Sequence, residues 1–299
     1  IVKVEDTSGF SDNNFVKFMT PVTKGSHIRK KGEEINKGEL LIKKGTRVTA
    51  NELGTIATFG YGELCVSRKP RVSVFATGNE LIEPGNSLGK GQIYNSNLYL
   101  FKDLIKKAGA KIEMSEVVKD DKNSLKLFLS KALKNSDLVI SSGGISMGRY
   151  DHVRDVLIEL GVEEHFWKVA QKPGKPLFFG TKEKKIIFGL PGNPVSSFIG
   201  FMEWIWPVLR DIMGGKSKKT VYGILDEPFP REKKMHRFLF GEVRYRNNRL
   251  VCSSTSKIGS HMLTSALGAN CILESSPGTT PLYPGDLIKV NLLPWKTIK

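Results

Sequence analysis

Leu138-Val139-Ile140-Ser141-Ser142-Gly143-Gly144-Ile145-Ser146-Met147-Gly148-Arg149-Tyr150-Asp151 is an apolar strand that runs directly into a glycine-rich loop. A second stretch has the same form: Ile186 to Phe188 leads into Gly189-Leu190-Pro191-Gly192-Asn193-Pro194-Val195-Ser196. Glycine accepts positive φ and lets the backbone approach a ligand closely. An open α/β sheet places its ligand at the carboxyl ends of its strands. Two such loops together predict an anion site.

Working outward, strand and helix patterns alternate. Val72 to Ala76, Ile112 to Val118 and a stretch near Phe166 to Ala170 read as further strands. Asn97 to Ala108 reads as a helix with Leu98, Phe101, Leu104 and Ile105 on one face and Gly109 as its stop. Ser124 to Leu133, Val153 to Leu160 and Val195 to Met213 read as the other helices. The pattern predicts a central doubly wound, mostly parallel α/β sheet over residues 70–215. Before it, residues 1–69 carry short strand-like runs at Val2 to Val4, Glu39 to Ile42 and Gly62 to Val66, with one helix near Thr49 to Phe59, and predict a partial β-rich module. After Gly214 to Lys219, which reads as a linker, residues 219–299 hold short strands separated by Gly, Pro, Asn and Asp turns. They predict a small β-barrel or sandwich, with one helix over Gly259 to Leu267. The fold class is therefore α/β multidomain.

Composition bounds the function. The 299 residues are 39% hydrophobic and 25% charged, enough for substantial cores. A formal charge of +16 suits anionic ligands. Nucleic acid is a poor fit, because the lysines are spread through turn-like stretches and no nucleic-acid motif is present. The chain has no apolar run of membrane-spanning length, and Ile1 to Asp6 lacks the basic and apolar regions of a signal peptide. Cys65, Cys252 and Cys271 are odd in number and without metal or disulfide spacing, which points to a reducing, cytoplasmic compartment.

The candidate site residues each have two readings. The amides of Gly143 and Gly144 either face a phosphate or merely close a tight turn. Asp151 closes the loop as a site carboxylate or caps the next helix. Asp120 sits just past a strand, on the ligand side of the sheet or in a simple turn. Lys168, Lys172 and Lys175 flank the turn Lys172-Pro173-Gly174-Lys175-Pro176, which can aim them at an oxyanion. Pro191 and Pro194 stiffen the backbone around Gly192.

These motifs, with Thr77-Gly78-Asn79-Glu80-Leu81 and the pair Asp120-Asp121, come in the order and spacing of the molybdenum insertases. The chain resembles that family, the bacterial MoeA proteins and the E domain of gephyrin, over essentially its whole length. The resemblance implies a central molybdopterin-binding domain like that of MoaB and MogA. It implies a reaction in which molybdate and adenylylated molybdopterin are the substrates, a divalent cation such as Mg2+ is present, and AMP leaves. Asp120, Asp151, Lys168 and Lys172 are then the catalytic candidates, with Asp120 and Asp151 as metal ligands. Substrate contacts fall to Thr77, Gly78, Asn79, Glu80, Ser142, Gly143, Gly144, Ser146, Met147, Gly148, Lys175, Pro191, Gly192, Asn193, Pro194, Ser196 and Arg237. Position 79 is Asn where many bacterial members have Asp, which favours a polar contact there over a metal ligand. The resemblance also implies a homodimer with a shared cleft and contact with the molybdopterin adenylyltransferase, and it places Ile1 to Asp6 well inside the family fold, so that an upstream part of that fold lies outside this sequence. Two other functions share parts of the pattern: molybdopterin adenylyltransfer, and a gephyrin-like receptor scaffold.

Overall fold

The computed structural model describes residues 1–9, 15–145, 152–215 and 220–299. By contacts the chain divides into two units, Ile1–Leu64 and Cys65–Lys299.

The first unit contains the helix α1 (Ala50–Thr58), where the sequence places one. Thr49 and Glu52 form a reciprocal capping box at its start, which satisfies amides a helix otherwise leaves unpaired. The rest of this unit corrects the β-rich expectation. Val2 to Val4, Glu39 to Ile42 and Gly62 to Val66 are turns and irregular chain, and the one pairing among the described residues is a single bridge between Thr7 and Phe18. Runs this short bury little on their own, and a strand without a neighbour leaves its amides and carbonyls unpaired.

The second unit begins with β1 (Arg71–Thr77), followed by the short pair β2 (Leu81–Ile82) and β3 (Ile93–Tyr94) and the helix α2 (Asn97–Ala108). Then come β4 (Lys111–Val118), α3 (Lys122–Asn135), β5 (Leu138–Ser142) and α4 (Val153–Glu159). β6 (Glu163–Lys168), β7 (Gln171–Lys172), β8 (Pro176–Lys182) and β9 (Lys185–Leu190) precede a long helical run. The central sheet has the order β4-β1-β5-β9-β8-β6, with the first four strands parallel and the last two antiparallel. Alternate residues of β1 face opposite sides: Val72, Val74 and Ala76 join one apolar cluster with α2, and Phe75 joins a second with α3 and α4. That is why helices cover both faces. Gly109 stops α2 in the left-handed conformation at φ 92°, as its sequence position predicts.

The long helical run is α5 (Pro194–Gly200), a π turn over Phe201–Ile205, and α6 (Trp206–Ile212). Pro207 explains the wide turn, since its ring has no N–H to offer the carbonyl one turn back and crowds that carbonyl.

Beyond it lie β10 (Thr220–Leu225), β11 (His236–Arg246), β12 (Arg249–Ser254), β13 (Cys271–Ser275) and β14 (Leu287–Leu292). They pair as β12-β10-β14-β13-β11, and β11 also pairs with β12, which closes a five-stranded barrel. The barrel is thus the one of the two expected forms that appears. The helix expected over Gly259 to Leu267 is a single 3-10 turn, Leu263–Ala266. The cause is tertiary: the Ser260 carbonyl accepts the Val195 amide at 3.0 Å and Asn193 Nδ2 donates to the Ser260 hydroxyl at 3.2 Å, which draws this segment against the start of α5. The strand expected near Phe166 to Ala170 starts earlier and ends at Lys168, as β6, with the Val169 amide adding one more bond to Lys175 beyond the β8 pairing. The short strand that follows, β7, pairs with β11 and belongs to the sheet of the barrel. No helix of the described residues is long and apolar enough to cross a membrane.

One electrostatic clamp holds the edge of the central sheet away from the glycine loops. Asp137 accepts two bonds from Arg68, at 2.5 and 2.7 Å, and one from the Arg71 amide at 2.8 Å. The Arg68 guanidinium, chiefly, holds the Asp137 carboxyl down at about 2. Its folded value is depressed, so the stabilisation is present above an ordinary aspartate value near 4 and disappears as pH falls toward 2. Asp137→Asn should therefore lower the unfolding free energy obtained from urea titration at pH 7 by at most about 2 kcal/mol, and leave it nearly unchanged near pH 2.

Candidate functional site

The carboxyl ends of β1, β5 and β9 open onto one cleft of about 1140 Å³, walled on its other side by the Lys172–Lys175 turn and residues of the barrel. Thr77 and Gly78 at the end of β1 line it, as do Ser142, Gly143 and Gly144 after β5. Pro191, Gly192, Asn193, Pro194 and Ser196 after β9 also line it. Strands about 4.8 Å apart put roughly 15 Å between the β4 and β9 ends, room for an extended substrate.

The glycines are there for stated reasons. Gly143 has φ 87°, and a Cβ on it would come within 2.7 Å of the Thr77 carbonyl. Its amide does not face the cleft, however. It donates to the Leu190 carbonyl at 2.9 Å, so Gly143 serves to dock the first loop on the second, which corrects the phosphate-facing reading for that amide. Gly144 has φ 69°, and a Cβ there would strike the side chains of Val153 and Thr77.

Asn97, at the start of α2, ties the same two loops together. Its Nδ2 donates to the Ser142 hydroxyl at 2.8 Å and to the Gly192 carbonyl at 2.7 Å. Asn97 and Asn95 are buried cleft residues that the sequence reading missed. Their signal was present, in that two asparagines flanking Ser96 sit where the helical pattern begins.

The charged residues divide between the two ends. Asp120 lines the cleft just after β4, and the Thr77 hydroxyl donates to its Oδ1 at 3.3 Å. It is not the cap of α3. Asp121 is, accepting the Ser124 amide at 2.9 Å, and that bond, with others, holds its carboxyl below its usual range. Glu80 also lines the cleft, whereas exposed Asn79 does not.

At the other end stand Lys172, Lys175 and Arg237. The turn that carries the lysines is fixed by buried Gln171, whose Nε2 donates to the Pro173 carbonyl at 3.1 Å and whose Oε1 accepts the Trp204 indole at 2.8 Å. Trp204 belongs to the π turn. The β7–β11 ladder then sets Lys172 directly beside Arg237. Arg237 is 5% exposed, its Nε has no hydrogen-bond partner among the described residues, and burial pulls its guanidinium below the usual value. Lys168 is not brought into the cleft; its Nζ lies 4.2 Å from the centre of the Trp167 ring. Ser146, Met147, Gly148 and Asp151 lie outside the described residues. Ser260 and His261, from the segment expected as a helix, complete the wall.

A doubly wound sheet with two glycine loops over a cleft lined by lysines, an arginine and carboxylates defines a multidomain α/β protein carrying a β-barrel. Residues 73–211 match the model described as a probable molybdopterin binding domain. Residues 1–60 match the MoeA N-terminal region (domain I and II), and residues 222–293 the MoeA C-terminal region (domain IV). The chain is 30% identical over 297 residues to the molybdopterin molybdenumtransferase of Bacillus subtilis, covering 98% of this chain and 69% of that protein. It is 33% identical over 258 residues to the Haemophilus influenzae protein of the same name, covering 84% of this chain and 64% of the relative. A crystal structure of the molybdopterin biosynthesis MoeA protein from Pyrococcus horikosii superposes with a TM-score of 0.76 at 31% identity, over 98% of this chain and 71% of that one. The chain belongs to the MoeA family of molybdopterin molybdenumtransferases, enzymes of molybdenum cofactor biosynthesis. It spans about two thirds of the length of these relatives.

Proposed function

We propose that this chain carries the active cleft of a molybdopterin molybdenumtransferase, which moves molybdenum from molybdate onto the dithiolene sulfurs of adenylylated molybdopterin and releases AMP. The observation that carries the reading is the division of charge in the cleft. The Lys172–Lys175 turn precedes β8 toward one edge of the sheet, with Arg237 paired beside Lys172, and Asp120 follows β4 at the other. A tetrahedral dianion suits the first and a phosphate anhydride with its cation suits the second.

In the reaction the anhydride linkage to AMP breaks with uptake of one water. The two thiols form bonds to molybdenum, and their protons leave with one molybdate oxygen as water. Lys172, Lys175 and Arg237 hold the oxyanion and draw charge from its oxygens. Arg237, whose planar guanidinium is a fixed fork of donors, offers the most directional of these contacts. Asn97 keeps the two glycine loops in register, so the substrate meets a preformed wall.

Mg2+ or another divalent cation fits Asp120, because such ions keep most of their waters and need one or two carboxylates plus substrate phosphates. Among the described residues there is no cluster of three or more His, Cys, Asp or Glu that could hold a metal. Bound at Asp120, the ion would neutralise phosphate charge. Asp151 is the proposed second carboxylate.

The working unit is proposed to be a cytoplasmic homodimer supplied with substrate by the adenylyltransferase. The first unit exposes Phe15, Phe18, Met19 and Leu40, apolar side chains that a second copy would cover. A sedimentation mass of a single chain would refute the dimer. Of the other readings, adenylyltransfer leaves residues 1–69 and the barrel without a role, and a receptor scaffold does not need the buried arginine. Incubation with ATP and molybdopterin separates the enzymes. No pyrophosphate is expected, and its steady release would overturn the proposal.

A further inference from the structure

Glu232 stands beside the cationic end of the cleft, on the loop that leads into β11. Its Oε1 lies 2.7 Å from Lys172 Nζ. Its loop is anchored through the backbone: the Gly278 amide donates to the Glu232 carbonyl at 2.9 Å, and Arg231 donates to the carbonyls of Ser276 and Pro277 at 3.0 and 2.5 Å. The β7–β11 ladder places Lys172 beside Arg237, whose buried Nε has no hydrogen-bond partner among the described residues. The Glu232 carboxyl is held below its usual range chiefly by Lys172, with a smaller contribution from Arg237. Its negative charge is therefore felt by two of the three cations that the proposed oxyanion contacts.

We infer that Glu232 is an internal competitor for the oxyanion: its carboxylate holds Lys172 until a doubly charged tetrahedral anion displaces it. This rests on the oxyanion reading of the cleft given above. The pair is exposed enough to yield, since the Lys172 side chain is 48% accessible and ion pairs in such positions are weakly held. A dianion that reaches Lys172, Lys175 and Arg237 together outcompetes one carboxylate. A monovalent anion such as chloride gains too little to do so. Glu232 thus sets a threshold of charge for entry, a specificity role that needs no contact with the reacting atoms.

Calorimetric titration of molybdate into the full chain, at fixed ionic strength, tests this directly. Glu232→Gln should bind molybdate about fivefold tighter, which is about 1 kcal/mol at 1.4 kcal/mol per tenfold. It should also be inhibited by chloride at lower concentration. Glu232→Ala, which lacks the carboxylate in a different shape, should tighten binding as well. Lys172→Ala should weaken binding, and Glu232→Gln should add no more than a small effect in its background. A residue with a purely structural role would give weaker binding, so tightening is the diagnostic sign. If Lys172→Ala weakens binding while both Glu232 variants bind no more tightly than the parent, the inference is wrong and the oxyanion reading stands. If Lys172→Ala binds molybdate as well as the parent does, the oxyanion reading falls and takes the inference with it.

Discussion

Asp120→Asn is expected to lower the rate of molybdenum insertion by about 100- to 1000-fold while leaving half-saturation by molybdate nearly unchanged. The substitution removes a charge and almost no volume. An amide oxygen can still accept the Thr77 hydroxyl. What is lost is the described carboxylate that follows β4 at the acidic end of the cleft, where a cation beside the anhydride needs one. Steady-state kinetics with the molybdate concentration varied would read both quantities. A rate within about twofold of the parent would reduce Asp120 to a turn residue.

Arg237→Met should do the opposite, raising the molybdate concentration for half-saturation by about 10- to 100-fold with a smaller effect at saturation. The methionine keeps an apolar stem in a buried position, so the fold loses little packing. The guanidinium's charge-assisted contact with the oxyanion, worth about 1.5 to 3 kcal/mol, disappears. Lys172→Ala should act in the same direction and less strongly, because Lys172 is exposed to solvent and already shares its charge with Glu232. An Arg237→Met protein that saturates at the parent's molybdate concentration would place the oxyanion elsewhere.

The parts of this molecule that were legible in the sequence are those whose signal is local. The apolar face of α2 and its Gly109 stop, the burial of β1 on both sides and the two strand-to-glycine junctions can be read from residue order alone. So could Asp120, Lys172 and the Pro191–Pro194 loop as cleft residues. What escaped was set by distant partners. The Gly143 amide looked like an anion donor, but the Leu190 carbonyl at the end of the neighbouring strand β9 takes it. Ser260 and His261 were hidden in an apparent helical period that the start of α5 unwinds. Glu232 carried no motif at all, since the role inferred for it depends on β7 pairing with β11 and bringing Lys172 to Arg237. Lys168 erred the other way. Its spacing from Lys172 suggested a shared turn, but it ends β6, and its ammonium sits over the Trp167 ring. The strands expected before residue 70 failed for a related reason: a two- or three-residue apolar run says nothing about whether a partner strand is at hand.

The central claim is that the cleft couples the metal to the adenylate, and release of AMP measures that coupling. The chain, incubated with adenylylated molybdopterin and Mg2+ in a single turnover, should release one AMP per molecule of molybdenum cofactor formed. It should do so only when molybdate is added, and Asp120→Asn should remove the burst. AMP released at the same rate without molybdate, or cofactor formed with the adenylate intact, would contradict the account.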